Sequence, residues 1–571
     1  MVNSKNEISI YDELSIERKK LQESGDLPLW VTTPAWQMLK EKYITSEFPN
    51  LKSIYHRISS HAAKYTNNSD EWEPKFFSLL WSGYLAASTP VLSNMGIGNG
   101  CPVSCSGGYI EDSVYGFYEG QKEAAILSKN GFGTSGYLGD IRPRGSSING
   151  IKGGASGVMP VFKDFVQMSR DVSQGSQRRG AWAGYLEIEH DDYYELVNYI
   201  HKNPDDANIG WIISDSFIER LDNSDKDAVE RYQKALKLKM ITGKGYFLFI
   251  DKVNRQNPEM YKDKDLKVKA SNLCSEIVLY SDEEYSFSCV LSSMNCALYD
   301  EWKDTDAVFN ATVFLDCVNS DLIEIGKNVK GMERVVKFAE DSRALGLGLL
   351  GYHTYLQNNM IPFESFESGL KNTEIFKHLD SESKRASQYL AKKYGEPKWC
   401  KGYGLRNTHR IAIAPNLSSA LICGSVSQGI EPIYKNAYVQ NTSAGKVDRV
   451  NPSLIVIMKE RGEYSADTIQ DIIKNSGSVQ HVKWLTENEK DVYKTAFEIS
   501  QKSIIRLASV RQKYIDQAQS INLFFSAAES EEYISEVHKM AFTDPNIKSL
   551  YYIRSESGVM TSKDECLSCH A

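Results

Sequence analysis

Asn272, Cys274 and Glu276 stand at two-residue spacing in the stretch Ser271-Asn272-Leu273-Cys274-Ser275-Glu276. If that stretch is extended, the three side chains project to one side. A sulfur, a hydrogen-bonding amide and a general base then share one small volume, a set suited to proton-coupled chemistry on a hydroxyl-bearing carbon. A buried cysteine between polar surface residues would show the same letters. Two adjacent tyrosines, Tyr551 and Tyr552, follow much later. Such a pair can be simple packing, but two stacked phenols can also pass an electron and a proton in steps. The third candidate is Cys566-Leu567-Ser568-Cys569. Two cysteines so spaced close a disulfide or supply half of a zinc site, and no second pair in the chain completes a four-ligand structural site. The stretch after Tyr552 is rich in Ser, Glu, Lys and Asp and reads as a flexible tail, from which a dithiol can reach a buried site and reduce it by exchange.

The elements that must position these groups show in the apolar periodicity. Residues from about 26 to 85 read as a helical region in which Thr33 caps a helix with Pro34 at its first position, and Trp36, Leu39 and Tyr43 recur at helical spacing. From Ser88 to Gly157 the chain is dense in Gly, Ser, Asn and Pro, which signals loops and tight turns close to a ligand. Short apolar runs such as Tyr246 to Ile250 and Ile411 to Ala414 read as buried strands and alternate with amphipathic stretches such as Asp227 to Leu238, which implies an α/β fold with a largely parallel sheet. No period of 20–50 residues repeats, which argues against a solenoid.

Composition sets the outer bounds. The chain has 571 residues, 41% of them hydrophobic and 25% charged, and a net charge of -8 without charge blocks, so no nucleic-acid footprint is expected. No apolar run is long enough for a membrane span and the first residues carry no export signal, which implies a cytoplasmic protein. Ten cysteines in a chain this long are too sparse for a disulfide scaffold and imply a reducing compartment.

Taken together, the motifs resemble the large, catalytic subunit of aerobic (class I) ribonucleotide reductases, from about Thr89 to Cys569. Ser104-Cys105 with Glu111-Asp112-Ser113 looks like the first redox cysteine and the start of the dimer and effector region. Asn272-Leu273-Cys274-Ser275-Glu276 looks like the finger loop, Cys289-Val290-Leu291-Ser292 with Asn295 like the strand of the second redox cysteine, and Ala414-Pro415-Asn416-Leu417-Ser418-Ser419 followed by Gly429-Ile430-Glu431-Pro432 like the substrate-phosphate loop. The resemblance implies a helical region over 1–85, a ten-stranded α/β barrel over 86–552 with the finger loop at its centre, and a redox tail over 553–571. It implies that Cys274 forms a thiyl radical, with Asn272 as orienter and Glu276 as base. Cys105 and Cys289 would supply reducing equivalents, Cys566 and Cys569 would reduce them again, and thioredoxin or glutaredoxin would reset the tail. Tyr551 and Tyr552 would bring the radical from a separate β subunit that holds the dimetal or radical cofactor, leaving this chain without a cofactor or metal of its own. Thr89, Ser104, Pro415, Asn416, Leu417, Ser418 and Ser419 would bind the ribonucleotide, a diphosphate in most of the class.

The resemblance further implies a homodimer with a nucleoside triphosphate effector site, Asp112 meeting the effector's base or ribose and Arg142 its phosphates. Ser173 to Gly180 resembles the second specificity loop, with Arg178 as a further effector contact, but Ser176 and Arg179 stand where glycines are common, so base-selection rules do not transfer. The added N-terminal module that gives relatives ATP/dATP on–off control is expected to be missing. Two other readings of the whole chain are an adenosylcobalamin-dependent (class II) reductase, which would need no tyrosine pair, and a non-catalytic nucleotide-binding scaffold. Gly346-Leu347-Gly348-Leu349-Leu350-Gly351 matches a dinucleotide fingerprint, but no hydrophobic strand precedes it, so close helix packing is the expectation there. Lys152-Gly153-Gly154 lacks the ending of a P-loop, and His353, His409 and His570 have no ligand spacing with the cysteines.

Overall fold

The computed structural model describes residues 10–172, 180–206, 208–442 and 445–555. Four helices come first: α1 (Ile10–Glu23), α2 (Thr33–Lys42), α3 (Leu51–Ala63) and α4 (Ser69–Trp81). Helix α1 lies ahead of Asp26, where periodicity first becomes visible; among its described side chains only the apolar Leu14 and Leu21 pack against the core, too sparse a stripe to announce a helix. The cap of α2 is Thr32 rather than Thr33, its hydroxyl accepting the Ala35 N–H at 3.3 Å. Phe76 of α4 meets Phe314 of the long helix Ala307–Gly326 edge-on at 5.3 Å, and one hydrophobic cluster extends from these helices into the sheet.

The next elements are β1 (Leu85–Ala87), α5 (Thr89–Asn94), β2 (Cys105–Tyr109), α6 (Val114–Lys129), β3 (Gly133–Tyr137), α7 (Val158–Asp171), β4 (Trp182–Glu187), β5 (Asn208–Ile213) and β6 (Tyr246–Phe249). Strands β2 to β6 pair in parallel in that order, with helices in each crossover, as parallel neighbours require. Strand β7 (Phe287–Asn295) runs antiparallel to β2 and parallel to β8 (Leu345–Leu350), while β1 lies antiparallel on its other flank. Single bridges then join Leu347 to Ile411 and Ile413 to Gln519. A hairpin of β9 (Ala437–Thr442) and β10 (Gly445–Val450) stands apart. After β11 (Leu523–Phe525) comes β12 (Ser549–Leu550), which lies antiparallel to β6; the following Tyr551 N–H donates to the Ile521 carbonyl at 2.8 Å, and β13 (Ile553–Ser555) pairs with β11. Strands β2–β6 and the five segments β7, β8, 411–413, 517–521 and β12 thus close a ring of ten in two antiparallel halves. This is the barrel expected from the sequence.

Two local expectations are corrected. The glycine-dense segment 88–157 contains strands β2 and β3 as well as turns, because their glycines make room on both faces of the sheet: inside the ring a Cβ on Gly107 would lie 2.2 Å from Phe287 Cζ, and on the outer face one on Gly136 would lie 2.7 Å from Ile110 Cδ1. Likewise Gly346 and Gly348 are strand residues of β8, not a helix contact. A Cβ on Gly346 would meet Leu291 Cδ2 at 2.6 Å and Cys289 Sγ at 2.8 Å. What precedes them is the helix Glu333–Ser342, so the strand–turn–helix context of a dinucleotide site is absent here.

Within the ring, residues 266–286 carry neither helix nor strand. Side chains of both halves fix this loop. Ser135 of β3 donates to the Ser271 carbonyl at 2.7 Å, Tyr185 of β4 to the Asn272 carbonyl at 2.6 Å, and Ser549 of β12 to the Ser275 carbonyl at 3.0 Å. Buried lysines fasten the closing segment: Lys548 donates to the carbonyls of Asp516 and Gln517 at 3.0 and 2.7 Å, and Lys239 to those of Gly245 and Tyr551. Burial lowers both ammonium groups to about 7.

Candidate active site

Cys274 sits in a turn, with Ser275 in the left-handed region at φ 65°, so the finger-loop segment is not extended. The turn does what an extended strand would not: it folds Glu276 back onto Asn272. The Asn272 amide donates to Glu276 Oε1 at 2.9 Å and approaches Cys105 Sγ at 3.4 Å, while Asn272 Oδ1 accepts the Ile277 N–H at 3.2 Å. All of these side chains are buried.

Strand register supplies the second thiol. Cys105 at the start of β2 lies directly opposite Cys289 of β7. Facing residues of an antiparallel pair have Cα atoms about 4.5–5.5 Å apart, inside the range that a disulfide bridges. Gln517 donates to Cys289 Sγ at 3.5 Å and to the Leu345 carbonyl at 2.8 Å, holding the sulfur at the base of the loop. Burial pushes the Cys289 thiol well above its ordinary value, which keeps it protonated at neutral pH. Burial also pushes the Glu276 carboxyl up to about 7, against the Asn272 and Ser520 hydrogen bonds that favour its charged form. A carboxyl poised there can exchange a proton near physiological pH.

Ser520, from the bridged segment of the return half, lies 3.0 Å from Glu276 Oε2 and 2.5 Å from the Cys274 carbonyl. Neither Gln517 nor Ser520 was singled out in the sequence. The run Gln517-Ala518-Gln519-Ser520-Ile521-Asn522 is wholly buried, and its density of amide and hydroxyl letters was the available sign of a segment with buried hydrogen-bonding work. On the other side of the thiol, Tyr551 donates to Cys274 Sγ at 3.4 Å. The ring of Tyr552 lies 4.1 Å from that of Tyr551, centroid to centroid, and is half-buried where Tyr551 is fully buried.

Asn416 is left-handed at φ 58° and precedes the short helix Leu417–Ile422, so Leu417, Ser418 and Ser419 form its first turn and Pro415 leads into it. The Asn416 amide reaches the carbonyls of Leu349 and Ala414 at 3.4 and 3.1 Å, which sets the turn at the C-terminal end of β8. Thr89 opens α5 and accepts a hydrogen bond from Tyr43 at 3.3 Å; Ser104 is buried, and its carbonyl accepts the Gly133 N–H at 2.7 Å. Asp112 and Arg142, expected to meet an effector, bond to one another at 2.5 Å beside α6. Arg178 and the rest of the second-loop segment up to residue 179, and the tail cysteines Cys566 and Cys569, lie outside the described residues. Among the described residues no helix is long and apolar enough to cross a membrane, and no group of three His, Cys, Asp or Glu side chains is arranged to hold a metal ion.

Known proteins are similar to this chain. The family model "Ribonucleotide reductase, barrel domain" matches residues 103–229, 226–401 and 398–553. A protein of Frog virus 3 (isolate Goorha), provisionally named ribonucleoside-diphosphate reductase large subunit, is 33% identical over 94% of this chain and 98% of its own. The solved structure of the Actinobacillus ureae class Id ribonucleotide reductase alpha subunit superposes with a TM-score of 0.85 at 39% identity, over 92% of this chain and 97% of that one. The vitamin B12-dependent ribonucleoside-diphosphate reductase of Thermoplasma acidophilum is 27% identical over 91% of this chain and 69% of its own.

Proposed function

The chain belongs to the ribonucleotide reductase large-subunit family, and from that premise we propose that it reduces ribonucleoside diphosphates to 2′-deoxyribonucleotides by a thiyl radical held on Cys274. Residues 86–552 are the catalytic unit in this reading, residues 1–85 a helical region and 553–571 the redox tail. The working assembly is a cytoplasmic homodimer served by a β subunit that carries the dimetal or radical cofactor.

The chemistry is assigned residue by residue. The Cys274 thiyl takes the 3′ hydrogen of the ribose as Glu276 accepts the 3′-hydroxyl proton. The 2′ hydroxyl leaves as water with a proton from Cys105. Cys105 and Cys289 give two electrons and end as a disulfide, the second of their hydrogens going to the 2′ carbon; Glu276 returns its proton to the 3′ oxygen and Cys274 its hydrogen to the 3′ carbon, which regenerates the thiyl. Cys566 and Cys569 then reduce the disulfide by exchange and are reset by thioredoxin or glutaredoxin. Asn272 orients Glu276; Thr89, Ser104 and Pro415 to Ser419 hold the nucleotide; Asp112, Arg142 and Arg178 serve the triphosphate effector, for which the Asp112–Arg142 pair must open.

One observation carries the reading: Asn272 ties Glu276 to Cys105 directly opposite Cys289, beside the sulfur that Tyr551 touches. An acid–base group, two thiols able to close a disulfide and a phenol in contact with a third thiol are what this reduction requires. The test is conversion of CDP to dCDP by the full chain with a radical-generating β subunit and dithiothreitol. Cys274→Ser should abolish turnover and leave nucleotide binding nearly unchanged; substantial turnover by that variant would end the assignment. Turnover with adenosylcobalamin and no partner protein would assign class II instead, in keeping with the Thermoplasma relative.

A further inference from the structure

Tyr246 has no part in the chemistry described so far. It opens β6, and the antiparallel register of Leu550 with Phe247 sets it across from Tyr551. Its ring lies 4.8 Å from that of Tyr551 and 5.5 Å from that of Tyr552, nearly perpendicular to the latter, and its hydroxyl donates to the Tyr552 hydroxyl oxygen at 3.3 Å. Tyr246 and Tyr551 are fully buried while Tyr552 is half-buried. Three phenols therefore form one cluster with Cys274 at its inner end. Shape packing alone does not need the hydroxyl contact, since a phenylalanine at 246 would fill the same space.

We propose that Tyr246 is a positioning residue for radical transfer, holding the Tyr552 oxygen by the hydrogen bond it donates. The inference rests on the tyrosine pair being the route of the radical. In that route an oxidant on the partner subunit, a radical or a high-valent metal centre, takes an electron and a proton from Tyr552. Tyr552 regains a hydrogen atom from Tyr551, and Tyr551 regains one from the Cys274 thiol, which leaves the unpaired electron on sulfur. Tyr246 keeps its own proton throughout. Its hydroxyl donates to the oxygen that becomes a phenoxyl, which stabilises that radical and fixes the plane of the Tyr552 ring against Tyr551.

The test uses the full chain with its β subunit and 3-aminotyrosine in place of Tyr552, an analogue oxidised readily enough to trap the radical. In D2O, electron–nuclear double resonance should show an exchangeable deuteron coupled to the trapped radical, and Tyr246→Phe should remove that coupling. With native Tyr552, the same substitution should lower turnover about three- to tenfold, the worth of one neutral hydrogen bond, at unchanged KM. An unchanged coupling together with unchanged turnover would overturn the role given to Tyr246. If no aminotyrosyl radical forms while Tyr246 is intact, the relay itself falls and this role with it, a failure separable from the first.

Discussion

Strands β2 to β6 pair over four or five residues each, whereas the return half of the ring, after the six-residue ladder of β7 with β8, passes through single bridges at Ile411 and Ile413 and ends in the two-residue strand β12. The two halves face the same finger loop and treat it differently. The regular half spends its backbone groups on its own ladders; its Ser135 and Tyr185 hydroxyls bond main-chain carbonyls of the loop, and Cys105 Sγ accepts from Asn272. The irregular half turns side chains onto the groups proposed to react: Gln517 onto Cys289, Ser520 onto Glu276, Tyr551 onto Cys274. Apart from Cys105 on β2 and Tyr246 on β6, the side chains that surround Cys274 and Glu276 come from the irregular half, and broken pairing is where polar side chains can be aimed inward.

That division can be tested by matched substitutions. The largest effect should come from Glu276→Gln, which keeps the Asn272 contact but loses the base. Turnover should fall about 10²–10⁴-fold, the usual worth of a general base, and the rise of kcat with pH through about 7 should vanish. The sign follows from burial: with the carboxyl held near 7, the charged, proton-accepting form is scarce below that pH and dominant above it. A flat profile in the unsubstituted protein would sink this assignment. A middling effect is expected from Gly346→Ala, whose methyl would press on Cys289 and Leu291; loss of stability by about 1–3 kcal/mol in urea unfolding is the expected outcome. The smallest effects sharpen the comparison most. Ser520→Ala removes a hydrogen bond that favours the Glu276 carboxylate, so the pH midpoint should move upward and turnover at pH 7 should drop a few-fold. Ser135→Ala, across the ring, should cost about 1 kcal/mol of stability and leave the midpoint where it was. Equal shifts in both variants would erase the distinction between the halves.

Much of the centre was legible because its chemistry is written in adjacent letters: Asn272, Cys274 and Glu276 in one stretch, Tyr551 beside Tyr552. The apolar run at Tyr246 and the amphipathic stretch from Asp227 likewise became β6 and the helix Lys226–Thr242. What was not legible depends on partners far away in the chain. Glycines 107, 136 and 346 read as turn or helix-packing letters, since strands seldom favour glycine; only the side chains of Phe287 and Cys289 on β7, and of Ile110 just past β2, explain them. The turn at Cys274 depends on a positive φ at a serine, for which no local signal exists. Gln517 and Ser520 acquire meaning only when the ring closes.

That closure has a temporal side. The member that seals the ring against β6 is β12, the last of the ten in chain order and some three hundred residues removed from its neighbour along the chain. A ribosome must therefore deliver nearly the whole barrel before the finger loop is enclosed, and pairing so distant in sequence is intrinsically slow. The same closing stretch ends in Tyr551, so the phenol that touches Cys274 arrives together with the wall around it. A nascent or truncated chain lacking those residues presents a thiol with no phenol beside it, so that on the proposed route unpaired spin has no way onto that sulfur before its enclosure exists.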